Sequence, residues 1–320
     1  MTIKKCLITG GAGFIGSNLA LEMKKRKISF DIVDNMSNGH LAFLPDDIVQ
    51  KNLYQTDFTS EFILNKIRHG SYDVVFHLAA LPRVGYSVEH PFNTNDENVT
   101  KTLALMEACR GNVARFVFAS SSSVYGNTTD LPAKETARKN PQSPYALQKS
   151  IIEDYLKLYY DLYGMDSAAL RFFNVFGPHQ LGDSPYSTAV SAWLNAIQNG
   201  ESMRSDGDGS QSRDMCYVDN VVDVLIRAGT LPTDLAAETF NVACGESTTN
   251  KEILRHLLLK NPATKYHSAP WRSGDVKHTL ADISKTEQVL GYKPLVRFWD
   301  GLEITSKWYK DNWRLIKEIK

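Results

Sequence analysis

The amino-acid sequence predicts an α/β fold: a doubly wound parallel sheet carrying a smaller C-terminal α/β lid. Three observations lead there. Strand and helix signals alternate from the N-terminus onward, the pattern of a parallel sheet wrapped on both faces. Gly10, Gly13 and Gly16 stand between a short apolar run and a helical one. After residue 178 the alternation loosens, and helix-like stretches at 188–198, 218–228, 251–259 and 300–318 are separated by short strands and long polar loops. The expected division is residues 1–178, joined by segments returning from the C-terminal half, and residues 179–320.

The first strand is Ile3 to Thr9, mostly apolar or β-branched and too short for a helix. Gly10 allows a sharp turn at its end, Gly13 lets the backbone approach a pyrophosphate, and Gly16 lets the helix lie close to the sheet. That helix opens with Phe14 and Ile15 and points its free N–H groups and positive dipole end at the phosphates. A second apolar run, Ser29 to Val33, ends in Asp34, roughly 20 residues after the glycines, as a Rossmann-type dinucleotide site requires. A carboxylate there accepts both ribose hydroxyls and repels a 2′-phosphate. No Arg or Lys stands among Asn35, Met36 and Ser37 to neutralise such a phosphate, so the expected cofactor is NAD. The competing reading of Asp34 is a plain strand-end turn residue.

A polar loop, 35–47, precedes a weak third strand at Ile48 to Asn52. Asp57 then caps a helix from Phe58 to Arg68, or else contacts adenine. The fourth strand, Asp73 to Leu78, runs into Ala79 and Ala80, whose small side chains suit a surface on which a cofactor lies flat. Residues 82–91 read as a loop and 92–110 as a long helix carrying Asn98. The fifth strand, Arg115 to Ala119, ends in SSSSVYG (120–126), a tight turn at the carboxyl edge of the sheet. Ser143 is a suitable N-cap and Pro144 a suitable first residue for a helix reaching Tyr163. A sixth strand, Ser167 to Phe173, leads to Asn174. Phe58, Leu78, Asn98 and Phe172 complete the residues expected to hold the dinucleotide.

The 320 residues carry 36 Lys plus Arg against 36 Asp plus Glu, which gives no footing for electrostatic binding to nucleic acid or an acidic membrane. No apolar stretch approaches the roughly 20 residues that span a bilayer. The first strand leaves no room for a targeting peptide, so a cytoplasmic protein is expected. Cys6, Cys109, Cys216 and Cys244 are scattered, as reduced thiols in or near the core would be, and no metal site is expected.

Open parallel sheets bind ligands beyond the carboxyl ends of their strands. Gly10, Asp34, Ala80, Ser121 and Asn174 each follow a different strand and should line one cleft, into which Tyr145 points from the first turn of its helix. Lys149 lies four residues further on, on the same face. A phenol with a free pKa of about 10 is a poor base at neutral pH. A neighbouring ammonium and a helix N-terminus favour the phenolate. Tyr145 with Lys149 is therefore a candidate general base for an alcohol whose hydrogen leaves as hydride, with Ser121 holding the same oxygen.

These motifs resemble the extended short-chain dehydrogenase/reductase family, and within it the UDP-sugar 4-epimerases. The similarity runs from about Lys4 to Pro294. It includes TGGAGFIG (9–16), HLAA (77–80), SSSSVYG (120–126), Tyr145 with Lys149, RFFNVFGP (171–178), GDGSQSRD (207–214) and GDV (274–276). The resemblance implies Ser121 and Tyr145 on the sugar 4-hydroxyl and Lys149 on the nicotinamide ribose. It implies Asn174, Arg213 and Arg272 on the diphosphate, Asp275 near the uridine ribose, and uracil contacts around Ser187 to Val190. A surface ion pair of Arg213 with Asp214 is the alternative for that arginine. Arg83 and Val84 fall near the sugar, although Arg83 and Tyr86 depart from the family pattern and could face solvent.

Related 4,6-dehydratases carry an acidic pair directly after the serine or threonine, where this chain has Ser122 and Ser123. Epimerisation at C4 is thus the expected reaction, with a UDP-hexosamine dehydratase as runner-up and a non-catalytic dinucleotide sensor as the remote alternative. Thr279 aligns where a tyrosine excludes N-acetylated sugars, which points to UDP-GlcNAc/UDP-GalNAc and also UDP-Glc/UDP-Gal. The family pairs the helices 92–110 and 143–163 across a homodimer. The apolar spacing of Leu103, Leu105, Met106, Ile151, Ile152, Tyr155, Leu158 and Tyr159 fits that, as it fits core burial.

Overall fold

The computed structural model describes residues 3–182, 187–271 and 276–319. Its main sheet holds seven strands among the described residues, all parallel. Their spatial order is Glu238–Val242, Ser167–Phe172, Arg115–Ser121, Val74–His77, Cys6–Thr9, Phe30–Asp34 and Leu53–Gln55. From Cys6–Thr9 the chain winds outward to Leu53–Gln55, then crosses back to Val74–His77 on the other side of the first strand. The order reverses between Cys6–Thr9 and Val74–His77, and a doubly wound sheet opens its ligand crevice at such a reversal.

The middles of the strands are mostly apolar because both faces are covered. Cys6, Ile8, Val74, Phe76 and Val117 face one way. They meet Leu19 and Met23 of helix Phe14–Lys25 and Val221 and Leu225 of helix Val218–Thr230. Leu7, Val75, Phe116 and Phe118 face the other way, against Ile63, Ile67, Leu105, Ile152 and Leu156 from three further helices. All four cysteines are buried and free. No helix among the described residues is long and apolar enough to cross a membrane.

The structure corrects three elements. Residues 48–52 are not a strand: Asp46–Asn52 is a helix, with Asp46 and Asp47 in its first turn and Lys51 in its last, and the third strand is Leu53–Gln55. Acid at the start and base at the end suit the helix dipole. Residues 82–91 are not a loop but contain the helix Val84–Glu89, and the next helical stretch, from Pro91, passes through a π-turn at Asp96–Thr100. The C-terminal helix is interrupted at Asn312, between Phe298–Asp311 and Trp313–Glu318.

Beyond the sheet, small pairings build the lid. Met203–Asp206 runs beside Tyr266–Ala269, and Ser212–Asp214 beside Ser247–Thr249. The buried Asp214 carboxylate ties this region together by accepting the backbone N–H groups of Cys244, Gly245 and Ala281. Burial lifts its pKa to about 7.

Candidate active site

A cavity of about 260 Å³ opens at the strand reversal. The glycine loop forms one wall. Gly10 has φ +68°, and a Cβ there would sit 2.8 Å from the backbone of Ala79. At Gly16 a Cβ would lie 2.2 Å from the Gly10 carbonyl oxygen, so helix and strand meet backbone to backbone. Gly13, Phe14, Ile15, Asp34, Asn35, Phe58, Leu78, Ala79, Ala80, Tyr145, Lys149 and Phe172 complete the wall named from sequence, and Arg83 joins them. The Asp34 carboxylate accepts the N–H of Ala12 at 2.9 Å and that of Met36 at 2.8 Å, which fixes it at the cavity edge. Each oxygen keeps a lone pair for a hydroxyl donor.

Tyr145 and Lys149 are both buried. Their helix, Pro144–Tyr163, starts with every N–H accounted for. Pro144 has none, the Ser87 hydroxyl accepts from Tyr145 N at 3.1 Å, and the Ser143 hydroxyl accepts from Ala146 N at 3.2 Å. Lys149 Nζ donates to the Ala119 carbonyl at 2.7 Å and lies 4.6 Å from the Phe118 ring centre. Burial pushes the Tyr145 phenol up to about 12, while a hydrogen bond from Ser121 pulls it down. Burial brings the Lys149 ammonium down to about 7, against the opposing pull of Glu153. Ser121 Oγ already accepts from Ser123 N at 3.2 Å and Ser123 Oγ at 2.9 Å, so its own proton is available to give.

A second cavity of about 350 Å³ lies beside the first. Val84, Ser121, Ser122, Ser123, Asn174, Thr188, Arg213, His278 and Thr279 line it. Tyr145, Ser120, Ile15, Pro82 and Phe172 line both cavities, so the two meet at the phenol. Thr279 Oγ1 accepts from Asn174 Nδ2 at 2.9 Å and Asp214 N at 3.1 Å. Arg213 Nη1 donates to the carbonyls of Ser212 and Lys277, which ties its strand to residues 276–280.

A profile of the NAD dependent epimerase/dehydratase family matches residues 6–243. The chain belongs to that family. It is similar to a putative UDP-glucose 4-epimerase of Methanocaldococcus jannaschii, at 34% identity over 96% of this chain and 98% of the relative. Among solved structures it resembles the UDP-N-acetylglucosamine 4-epimerase from Methanobrevibacter ruminantium M1 in complex with UDP-N-acetylmuramic acid. The TM-score is 0.90 at 35% identity, covering 98% of this chain and 100% of that one. The UDP-glucose 4-epimerase of Thermus thermophilus in complex with NAD gives 0.87 at 29% identity, covering 96% and 99%. NAD is the cofactor of this family, and the side-chain-free cradle at Gly10 and the carboxylate of Asp34 fit it.

In this member of the epimerase/dehydratase family several residues named from sequence stand elsewhere. Asp57 neither caps a helix nor lines the cleft: it accepts from Thr59 N and Oγ1 and pairs with Lys101. Asn98 holds the backbone of Leu81 at both N–H and C=O and donates to Gln148, so it shapes the cleft from behind. Arg83 lines the dinucleotide side and not the second cavity. Asn174 has both amide hydrogens committed, to Thr279 and to the Asp214 carbonyl, so its side chain pins the strand instead of offering a donor to a phosphate. The Asp214 carboxylate takes backbone N–H groups, not an ion pair with Arg213. Val190 is packed in the core, the Ser187 hydroxyl donates to the Leu181 carbonyl, and Thr188 between them lines the cavity. Arg272 and Asp275 lie outside the described residues.

Residues that sequence reasoning missed do the positioning. Ser87 is hidden in a segment read as loop. Buried His77 joins the floor of the cleft to the neighbouring helix. Thr102 Oγ1 donates to the Asn98 carbonyl, so it accepts from His77 Nε2. His77 Nδ1 then accepts from Thr9 Oγ1, which accepts from Ala79 N. Burial brings the His77 pKa down to about 3, so the ring stays neutral and the chain of donors keeps one direction.

Proposed function

We propose that this chain interconverts UDP-hexoses at C4 through a transient 4-keto sugar, acting on UDP-GlcNAc/UDP-GalNAc and also on UDP-Glc/UDP-Gal. One observation carries the reading: Tyr145 stands in the wall shared by the dinucleotide cleft and the second cavity. A sugar in the second cavity would meet the phenol at the edge of the dinucleotide cleft. Bound NAD would supply the hydride chemistry, one hydride accepted and returned. The protein supplies the proton chemistry. Tyr145 accepts the 4-hydroxyl proton, Ser121 hydrogen-bonds the same oxygen, and the Lys149 ammonium, 5.7 Å from the Tyr145 ring centre, favours the phenolate over the phenol.

Ser122 and Ser123 line the cavity where a dehydratase would need an acid and a base. Hydroxyls do neither job well at neutral pH, so the ketose keeps its C6 hydroxyl, turns over and is reduced on its other face. Thr279 leaves room that a tyrosine would fill, and the Methanobrevibacter relative binds an N-acetylated UDP-sugar; both support an N-acetylated substrate here. Arg213 suits the diphosphate, since its guanidinium fork matches phosphate oxygens, with Arg272 and Asp275 completing the nucleotide contacts. In this reading residues 1–178 with the returning strand hold the cofactor and residues 179–320 mainly hold the UDP-sugar.

The working unit is a homodimer. Leu147, Ile151, Tyr155, Leu158 and Leu162 recur at helical spacing on Pro144–Tyr163, and Leu147, Leu158 and Leu162 are exposed. Sedimentation of the wild type against Leu158→Glu tests this, and a monomeric wild type refutes it.

The reaction is tested by incubating the protein with each of the four UDP-hexoses and separating the products. Mass-neutral conversion between the C4 epimers is expected. Loss of one water from UDP-GlcNAc would mean a dehydratase, and no conversion of any of the four would overturn the assignment.

A further inference from the structure

We propose that Glu153 is a positioning residue of the active site, holding Lys149 as the ammonium and the Ser120–Ser121 turn in place. The inference rests on the reaction proposed above, in which that ammonium supports Tyr145.

Glu153 follows Lys149 by one helical turn and is itself buried. Its Oε1 accepts from Ser120 Oγ at 2.6 Å and from Arg171 Nε at 2.9 Å, and its Oε2 accepts from Arg171 Nη2 at 2.7 Å. Arg171 is held in turn through Nη1 by the Tyr125 hydroxyl at 2.8 Å and the Glu135 carbonyl at 3.1 Å. The Tyr125 hydroxyl donates to Asn241 Oδ1 at 2.6 Å. The network thus reaches from strand Glu238–Val242 to the residue directly before Ser121.

Structural need alone would be met as well by apolar packing, since a buried ion pair gives little net stability. What this pair adds is a carboxylate beside a buried lysine. Among the described residues the groups facing Lys149 are few. On its own helix they are Tyr145 and Glu153, and from strand Arg115–Ser121 the Phe118 ring and the Ala119 carbonyl. From strand Val74–His77 comes His77, which stays neutral. Arg171 reaches the site only through its fork on Glu153, and Lys139 Nζ lies 3.7 Å from Glu153 Oε2 at the outer side. Glu153 is therefore the carboxylate whose charge acts on Lys149, and burial otherwise drives that amine towards its neutral form.

Turnover needs Tyr145 deprotonated and Lys149 protonated; with the phenol at about 12 and the amine at about 7, the acidic limb of the pH profile follows Lys149 and the plateau above it rises with the hold of Lys149 on its proton. Glu153→Gln keeps an acceptor for Ser120 but removes the charge. Its acidic limb should move towards acid by about one pH unit, and turnover on the plateau above that limb should fall about tenfold. Glu153→Asp keeps the charge and should restore the limb. Should the unpaired Arg171 cation unfold the Gln variant, Glu153→Gln with Arg171→Met removes both charges and should show the same acidward shift.

Equal losses at every pH in the Gln, Asp and double variants would mean a merely structural role and overturn the proposal. The Cε resonance of Lys149, assigned by comparison with Lys149→Met in protein carrying 13C-labelled lysine, gives the same titration without turnover. An inactive wild type would therefore refute the reaction, whereas an unmoved Lys149 titration in Glu153→Gln would refute the role of Glu153.

Discussion

Ser87→Ala tests whether Tyr145, the proposed proton acceptor, is aimed by its helix start. The Ser87 side chain is fully buried, accepts the Tyr145 N–H at 3.1 Å and donates to the Val84 carbonyl at 2.7 Å. Removing its oxygen leaves the Tyr145 N–H without a partner and with no room for bulk water. A buried donor left unsatisfied costs about 1–3 kcal/mol. Ser143→Ala is the matched control: it removes the neighbouring cap on Ala146 N, at a position nearer solvent, for about 1 kcal/mol. Urea midpoints at unchanged slope give the stability change. Turnover of the UDP-hexose separates the two variants. Ser87→Ala frees the first turn to tilt and should lower kcat about tenfold with little change in KM, as misaligned reacting groups do. Ser143→Ala should lower stability alone. If Ser87→Ala matches wild type in both midpoint and kcat, Tyr145 is aimed by something other than this hydrogen bond.

Tyr145→Phe should lower turnover by about 10²–10⁴-fold while NAD affinity, read by calorimetry, stays at the wild-type value; unchanged turnover would remove the phenol from the chemistry. Thr279→Tyr should reduce kcat/KM for UDP-GlcNAc about 10–100-fold and spare UDP-Glc, and equal losses on both would exclude Thr279 as the gate. Lys149→Met should abolish turnover yet stabilise the fold. The folded Lys149 pKa of about 7 lies below the unfolded value of about 10.5, so the unfolded chain holds the proton that the folded chain has lost between them. Wild-type stability therefore rises with pH across that window, and the gain from Lys149→Met should be largest below pH 7, a few kcal/mol, and vanish above about pH 10.5. A gain that is the same at every pH would contradict this.

Features set by local chemistry were legible in the sequence. Only glycine accepts the conformation at residue 10 and the backbone approach at residue 16, so their spacing announces the loop. Tyr145 and Lys149 share a helix, so their relation follows from helical geometry. What escaped was set by tertiary partners. Ile48 and Val49 suit a strand or a helix equally, and burial of Ile48 alone on a helix decided it. Asp57, Asn98 and Asn174 are good cap or ligand residues in isolation, but Lys101, Leu81 and Thr279 claimed their polar atoms, and those partners lie 17 to 105 positions away. Val190 fell to the core because the helix Ala189–Asn199 turns that side inward, leaving Thr188 at the cavity.

The outermost strand on one side of the main sheet, Glu238–Val242, comes from late in the chain. Until it docks, Ser167–Phe172 presents a bare row of backbone donors and acceptors flanked by apolar side chains, the kind of rim that recruits strands from other molecules. During synthesis the main sheet therefore stays unsealed until residue 242 has left the ribosome, and a chain stopped short of it carries an adhesive border into solution.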